Sequence, residues 1–358
     1  MMIDRKFWKN KRVMVTGHTG FKGGWLTVIL NLLGSNIYGY ALSPKGKNSF
    51  YKHTNIKKIF NKDIKHDIRD YSHLKKKIKE FRPEIIIHLA AQSSVIESFK
   101  DPRNTVSTNI IGTYNLLESV KNQKSVKSLL IITTDKVYQN YEQSRYFDEN
   151  SKLGGDDMYS GSKACCEILI NSFNKSFFQK SNCNIATVRA GNCFGGGDWT
   201  EDRITKDALE NFYANKTLIL RSPSANRPWQ HVMEALSGYL IFAIKLKKNH
   251  KLHGQAFNFG PNNSSNFKVI NLVNLMNIYW KNVSWKIVKK EKFYESGLLK
   301  LNSSKAKKLL GWKSILNFRE CTKLVAVWYK EYYNNRKNAY ELSLSQIQNY
   351  QKLLKKRL

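Results

Sequence analysis

A β-type run from Arg12 to Thr16 leads into Gly17-His18-Thr19-Gly20-Phe21-Lys22-Gly23. An apolar helical stretch from Trp25 to Leu33 follows, and then a second β-type run from Asn36 to Tyr40. Strand, glycine turn, helix and strand within about thirty residues is the unit from which parallel sheets are wound. The glycines, spaced G-x-x-G-x-x-G, allow a tight turn and close approach of the backbone to a pyrophosphate, whose charge then meets the helix N-terminus. Gly34 stands where a helix C′ residue is expected. Further buried-strand runs at Glu84–His88, Leu129–Ile132 and Asn184–Arg189 continue the alternation, with helical stretches between them, one opened by Asp101-Pro102. The pattern predicts an α/β protein built on a Rossmann-type doubly wound parallel sheet, with a smaller α/β C-terminal substrate domain.

At 358 residues the chain is long enough for two substructures. The expected dinucleotide-binding domain covers 1–190, and the chain returns to it around 231–260. The expected substrate domain takes 191–230 and 261–358. Three successive glycines, Gly195 to Gly197, predict a mobile or sharply turned loop after a strand, at the edge of a substrate pocket. The last segment, rich in Gln, Lys and Leu, reads as an exposed amphipathic helix.

Chemistry concentrates at the end of the Leu129–Ile132 strand, in Thr133-Thr134-Asp135-Lys136-Val137-Tyr138. Tyr159 and Lys163 follow at i,i+4 spacing, so a helix carries both on one face. Hydroxyls, a carboxylate, an ammonium and a phenol converging at a strand end point to acid/base work. Asn109 has two readings, a satisfied helix polar group or part of the site's hydrogen-bond framework. Arg221 and the run Arg227-Pro228-Trp229-Gln230-His231 offer guanidiniums for a diphosphate and an indole for a base. A surface turn packing on the core is the competing reading of that run.

An acid that holds an adenosine 2′-hydroxyl belongs about twenty residues past the glycines. That region reads Ala41-Leu42-Ser43-Pro44-Lys45, with no carboxylate. NAD and NADP both stay open, and Lys45 or Lys47 is available for a 2′-phosphate. Asp67 is placed to reach the adenine edge.

A formal charge of +33 invites a nucleic-acid reading. The lysines are scattered through every segment, however, without the aromatic runs or zinc-finger spacing of nucleic-acid modules. A chain-wide use of Lys and Asn at surface positions explains them as well as a binding face does, and steering of anionic substrates is favoured over a nucleic-acid role. The five cysteines are odd in number and lack C-x-x-C spacing, which argues against a disulfide framework and a zinc site. No metal is expected. Neither a signal peptide nor a run near the ~18 apolar residues of a membrane span is present, so a cytoplasmic location is expected.

Taken together, TGHTGFKG, HLAAQ, TTDKVY, YSGSK, RAGN-x-x-GGGDW and RPWQHV resemble the extended short-chain dehydrogenase/reductase superfamily. More narrowly they resemble its CDP-glucose 4,6-dehydratases, from about residue 7 to 330. Asp135-Lys136, GGGDW and RPWQHV carry the narrower likeness. Related dehydratases mostly have Asp-Glu or Thr-Glu where Asp-Lys stands here. The resemblance implies a hydro-lyase with bound NAD, a nucleotide-sugar substrate and a homodimer, with a tetramer left open. The alternative is a 4,6-dehydratase or epimerase for a GDP-, dTDP- or UDP-linked sugar.

The resemblance also implies roles. Thr134, Asp135, Lys136, Tyr159 and Lys163 are catalytic: Tyr159 takes the 4-hydroxyl proton with help from Lys163, Thr134 holds the 4-oxygen, Lys136 takes the C5 proton and Asp135 protonates the departing 6-hydroxyl. Gly17, Thr19, Gly20, Phe21, Lys22, Gly23, Asp67, Ile68, Leu89, Ala90, Ala91, Thr108 and Thr133, with Tyr159 and Lys163, hold the cofactor. Gln92, Ser94, Asn192, Trp199, Arg203, Arg227 and His231 bind substrate. Departures from the pattern include Ser93-Ser94, Gly161 and Asn302, and none removes a catalytic group.

Overall fold

The computed structural model describes residues 4–141, 145–201, 203–261, 266–280, 284–288 and 299–357. Among these, seven strands form one sheet: β1 (Arg12–Thr16), β2 (Asn36–Ala41), β3 (Lys62–Lys65), β4 (Ile85–His88), β5 (Ser128–Ile132), β6 (Asn184–Ala190) and β7 (Ala256–Phe259). They lie in the order 7-6-5-4-1-2-3, every pairing parallel. The order reverses between β1 and β4, which opens a crevice at their carboxyl ends.

The central strands β1, β4 and β5 are near-continuous apolar runs because both faces are covered, whereas the edge strand β3 is not. Alternate residues serve the two sides. Val13, Val15, Ile85, Ile87, Leu130 and Ile132 face one core, with helices α1 (Phe21–Leu32) and α6 (Val232–Lys248). Met14, Ile86, Leu129 and Ile131 face the other, with α2 (Tyr71–Phe81), α3 (Gly112–Val120) and α4 (Met158–Phe173). Local signals set the ends of these helices. Gly34 adopts φ +80 just past α1, and Asp157 caps α4 by accepting from the Ser160 amide at 2.9 Å. Asp101 likewise caps the Pro102–Val106 helix.

Helix α6 and strand β7 bring the chain back to the sheet. Outside it lie three two-stranded pairs: Cys193–Phe194 with Gln230–His231, Asn226–Pro228 with Asn266–Lys268, and Leu218–Leu220 with Trp285–Ile287. Helices α5 (Ile204–Tyr213) and α7 (Val269–Trp280) accompany them.

The last helices, α8 (Phe318–Tyr333) and α9 (Ala339–Arg357), close the α1 side. One apolar cluster runs from Trp25 of α1 to Trp328 of α8 and Tyr350 of α9. The final helix is therefore amphipathic as expected but docked, with Ile347, Tyr350 and Leu354 buried. Among the described residues no helix is long and apolar enough to cross a membrane.

The Gly195–Gly197 loop is sharply turned and tightly packed. A Cβ on Gly196 would overlap the Trp328 indole, Gly197 takes φ +77 beside Phe50, and the Trp25 indole N–H donates to the Gly196 carbonyl at 2.9 Å.

Candidate active site

The crevice at the β1/β4 switch holds a cavity of about 310 Å³. Its floor is the glycine turn. Gly17 has φ +76, and a Cβ there would fall 2.6 Å from the Ala90 amide nitrogen, so only glycine lets the turn lie against the end of β4. Gly23 similarly abuts the Gly17 carbonyl. The N-terminus of α1 faces this space with its first amides, a setting made for a diphosphate. The side chain of His18 turns the other way and is bonded to Asp63 at 2.7 Å.

All fifteen residues expected to hold a cofactor line the cavity: the turn from Gly17 to Gly23 without His18, then Asp67 and Ile68, Leu89 to Ala91, Thr108, Thr133, Tyr159 and Lys163. This elongated, glycine-floored cradle fits a dinucleotide. Ala41 and Leu42 stand where an acid was sought, and the Thr19 hydroxyl donates to the Leu42 carbonyl at 2.9 Å. Lys45 and Lys47 are exposed and do not line the cavity. Asp67 does, but its carboxylate is held by the Arg69 guanidinium at 2.6 Å.

Of the expected catalytic groups, Tyr159 and Lys163 line the cavity, while Thr134, Asp135 and Lys136 do not and follow Thr133, which does. Thr134 caps a single turn, Asp135–Val137, accepting from the Lys136 amide at 3.3 Å. Its hydroxyl donates to Asp135 Oδ1 at 3.1 Å. Burial pushes the Tyr159 phenol up to about 12, while Thr134 and the Arg203 guanidinium pull it back down. Burial raises the Asp135 carboxyl as well, against the opposing pull of Lys136, Thr134 and Lys22. Lys163 is buried one turn beyond Tyr159 and donates to the Ile132 carbonyl at 3.2 Å. Burial lowers its ammonium, with the Cys166 thiol the main opposing influence. A carboxyl raised by burial stands near a buried phenol that needs a neighbouring cation to ionise, which puts two proton-transfer groups at one strand end.

Of the expected substrate residues, Arg203 lines the cavity and the other six do not. Gln92 spends its side chain on its own loop, donating to the Ser94 carbonyl at 3.0 Å and to Thr105 at 2.8 Å, and accepting from the Ser94 amide at 2.6 Å. Ser94 caps the Val95–Lys100 helix. Asn192 lends its carbonyl to the Gln230 amide at 3.1 Å. Trp199 is buried among Trp328, Tyr329 and Tyr332, with its indole N–H on the Tyr333 hydroxyl at 3.2 Å. His231 is wholly buried against Trp25 and, pushed down to about 3 by that burial, is neutral. Arg227 is buried beside its own turn, donating to the Asn226 carbonyl at 2.9 Å. The core therefore claims Trp199 and His231, because aromatic partners distant in the chain take up their faces.

Sequence reasoning missed His66, Ser93, Ile132, Cys193, Asp198 and Thr200, which also line the cavity. Asp198 and Thr200 flank Trp199, so the GGGDW run itself was the signal, read one position off. Asn109 is framework: it donates to the Gln92 carbonyl at 3.0 Å and to Ser162 of α4 at 2.8 Å, and accepts from the Gln92 amide at 2.8 Å.

The comparisons with known proteins agree with this geometry. CDP-glucose 4,6-dehydratase of Salmonella typhimurium is 41% identical over 335 residues, covering 92% of this chain and 93% of that protein. The human dTDP-D-glucose 4,6-dehydratase is 25% identical over 344 residues, covering 92% of each. Among solved structures, the epimerase Mth375 of Methanothermobacter thermautotrophicus superposes with a TM-score of 0.81 at 21% identity, over 93% of this chain and 96% of that one. The dTDP-glucose 4,6-dehydratase of Bacillus anthracis, solved in complex with NAD, does so with 0.75 at 22%, over 90% and 97%. With the GDP-mannose 4,6 dehydratase family model matching residues 14–325, the chain belongs to that family of nucleotide-sugar dehydratases.

Proposed function

We propose that the protein is a CDP-glucose 4,6-dehydratase, forming CDP-4-keto-6-deoxyglucose by net loss of water. One observation carries this reading: the Asp135 carboxyl, bonded to Thr134 at 3.1 Å, and the buried Tyr159 phenol stand at one strand end in a chain 41% identical to a CDP-glucose 4,6-dehydratase. NAD would be held by the glycine turn with Thr133, Tyr159 and Lys163, and would supply a hydride acceptor for C4 and a hydride donor for C6.

The chain's own groups do the rest. Tyr159 accepts the 4-hydroxyl proton. A buried phenol needs help to ionise, and the Arg203 guanidinium favours its phenolate. The 4-keto group acidifies the C5 proton, which Lys136 removes. Asp135, kept towards its acid form by burial, protonates the departing 6-hydroxyl. Lys163 is buried at the end of β5, where it would hold the cofactor's ribose.

Residues 1–190 with 231–260 form the dinucleotide half in this reading, and 191–230 with 261–358 the substrate half. Subunits pair through the helices around 102–120 and 158–178, whose outer faces expose Ile111 (48%), Tyr114 (41%), Ile168 (56%) and Phe177 (51%). Five free cysteines suit a reducing compartment, the cytoplasm.

The test offers CDP-glucose, dTDP-glucose, GDP-mannose and UDP-glucose separately and follows the alkaline absorbance of a 4-keto-6-deoxy product. Turnover of CDP-glucose is expected. Turnover of another sugar nucleotide in its place would reassign the substrate.

A further inference from the structure

Resting on that reading, we propose that Glu167, Arg189 and Tyr138 are positioning residues: one buried ion pair fastens both ends of the catalytic segment. Glu167 lies on α4 at i+4 from Lys163 and i+8 from Tyr159, on the same helix face. Arg189 of β6 grips it in bidentate fashion, Nε to Oε1 at 3.0 Å and Nη2 to Oε2 at 2.9 Å. Both side chains are about 95% buried (5% and 4% exposed).

The segment Thr133–Tyr138 is tied to this pair at each end. The Thr133 hydroxyl donates to Glu167 Oε1 at 2.5 Å. At the other end, Arg189 Nη1 donates to the Tyr138 hydroxyl at 3.1 Å, which donates in turn to Asn258 Oδ1 of β7 at 2.6 Å. Thr134, Asp135 and Lys136 hang between these two anchors. The helix bearing the oxidation pair and the turn bearing the elimination pair are thereby held at one separation. Neither charge of the ion pair lines the cofactor cavity; both line a separate cavity with Glu149, Asn150 and Lys305.

The bidentate fork matters, because a planar guanidinium fixes direction as well as distance. Removing Arg189 outright strands a buried carboxylate and threatens folding. A single hydroxyl deletion is the cleaner test. Tyr138→Phe keeps the ring stacked on Phe147 and loses only the two hydrogen bonds.

The purified holoenzyme is mixed with CDP-glucose in a single turnover and followed by the absorbance of reduced nicotinamide and by product formation. Tyr138→Phe is expected to oxidise the sugar at nearly the parent rate and to eliminate water roughly tenfold more slowly, so that reduced cofactor accumulates. An unchanged ratio of elimination to oxidation overturns the proposal. A parent that turns over no nucleotide sugar refutes the functional reading instead. The clamp is then decided by urea unfolding of Thr133→Val, Tyr138→Phe and the double variant. A double loss smaller than the sum of the singles supports shared anchoring, and strict additivity overturns it.

Discussion

The indole of Trp328 fills the space that a side chain on Gly196 would need. Residues far apart in the chain thus fix the loop that carries Asp198 and Thr200 into the cavity. The Trp25 N–H on the Gly196 carbonyl and the Tyr329 hydroxyl on the Asp198 carbonyl, both at 2.9 Å, leave the loop little room to give. Gly196→Ala is expected to cost about 1–3 kcal/mol, the usual range for overpacking a core. Urea unfolding measures it. A loss within experimental scatter would mean that the aromatic layer yields easily.

Lys136 and Tyr159 serve different steps. Lys136→Ala should still oxidise the sugar at C4 and accumulate reduced nicotinamide, while product formation falls roughly a hundredfold or more. Stopped-flow absorbance separates the two. Normal dehydration by this variant would remove Lys136 as the base for C5.

Arg203 stands on the cavity wall and favours the Tyr159 phenolate. Without that cation the phenol's pKa rises, so less of it is ionised at a given pH. Arg203→Gln is expected to slow sugar oxidation roughly tenfold at pH 7 and to recover as pH rises, its basic limb displaced upward from the parent's. Single-turnover rates across the pH range decide this. Equal slowing at every pH would confine Arg203 to substrate binding.

Glu234 is a buried acid that burial pushes up from 4.5 to about 7. It accepts from the Ile315 and Leu316 amides at 3.1 and 2.7 Å and from the Tyr350 hydroxyl at 2.9 Å. A folded-state pKa above the unfolded one favours folding fully below pH 4.5, and that contribution is lost as pH climbs to 7. The loss is roughly 3 kcal/mol. Unfolding of the parent and of Glu234→Gln at pH 5 and pH 8 isolates it, since the variant should lack this share of the pH dependence. Parallel curves would exclude it.

Five of the seven strands were legible because buried strands read as apolar runs punctuated by turns, and β1, β2 and β5 fall within one residue of their expected ends; β3, Lys-Asp-Ile-Lys at the sheet edge, and β7 gave no such run. The cofactor cradle was legible for a similar reason: glycine turn and strand ends are contiguous in the chain. Trp199 and His231 were not. Their surroundings come from α8 and α1, and no local pattern around residue 199 announces Trp328. The Arg189–Glu167 pair was equally silent, since neither its spacing nor its residue types reveal that Thr133 and Tyr138 converge on it.

The bond between Glu234 and Tyr350 spans 116 positions. While the chain is being made, the part of the α1-side cluster that the last helix covers therefore stays open until residue 350 has been added. The sheet and its first helices must wait as a sticky, incomplete body, and a slow or stalled ribosome would lengthen that exposure. Aggregation during synthesis, more than loss of the finished fold, is the hazard this architecture carries.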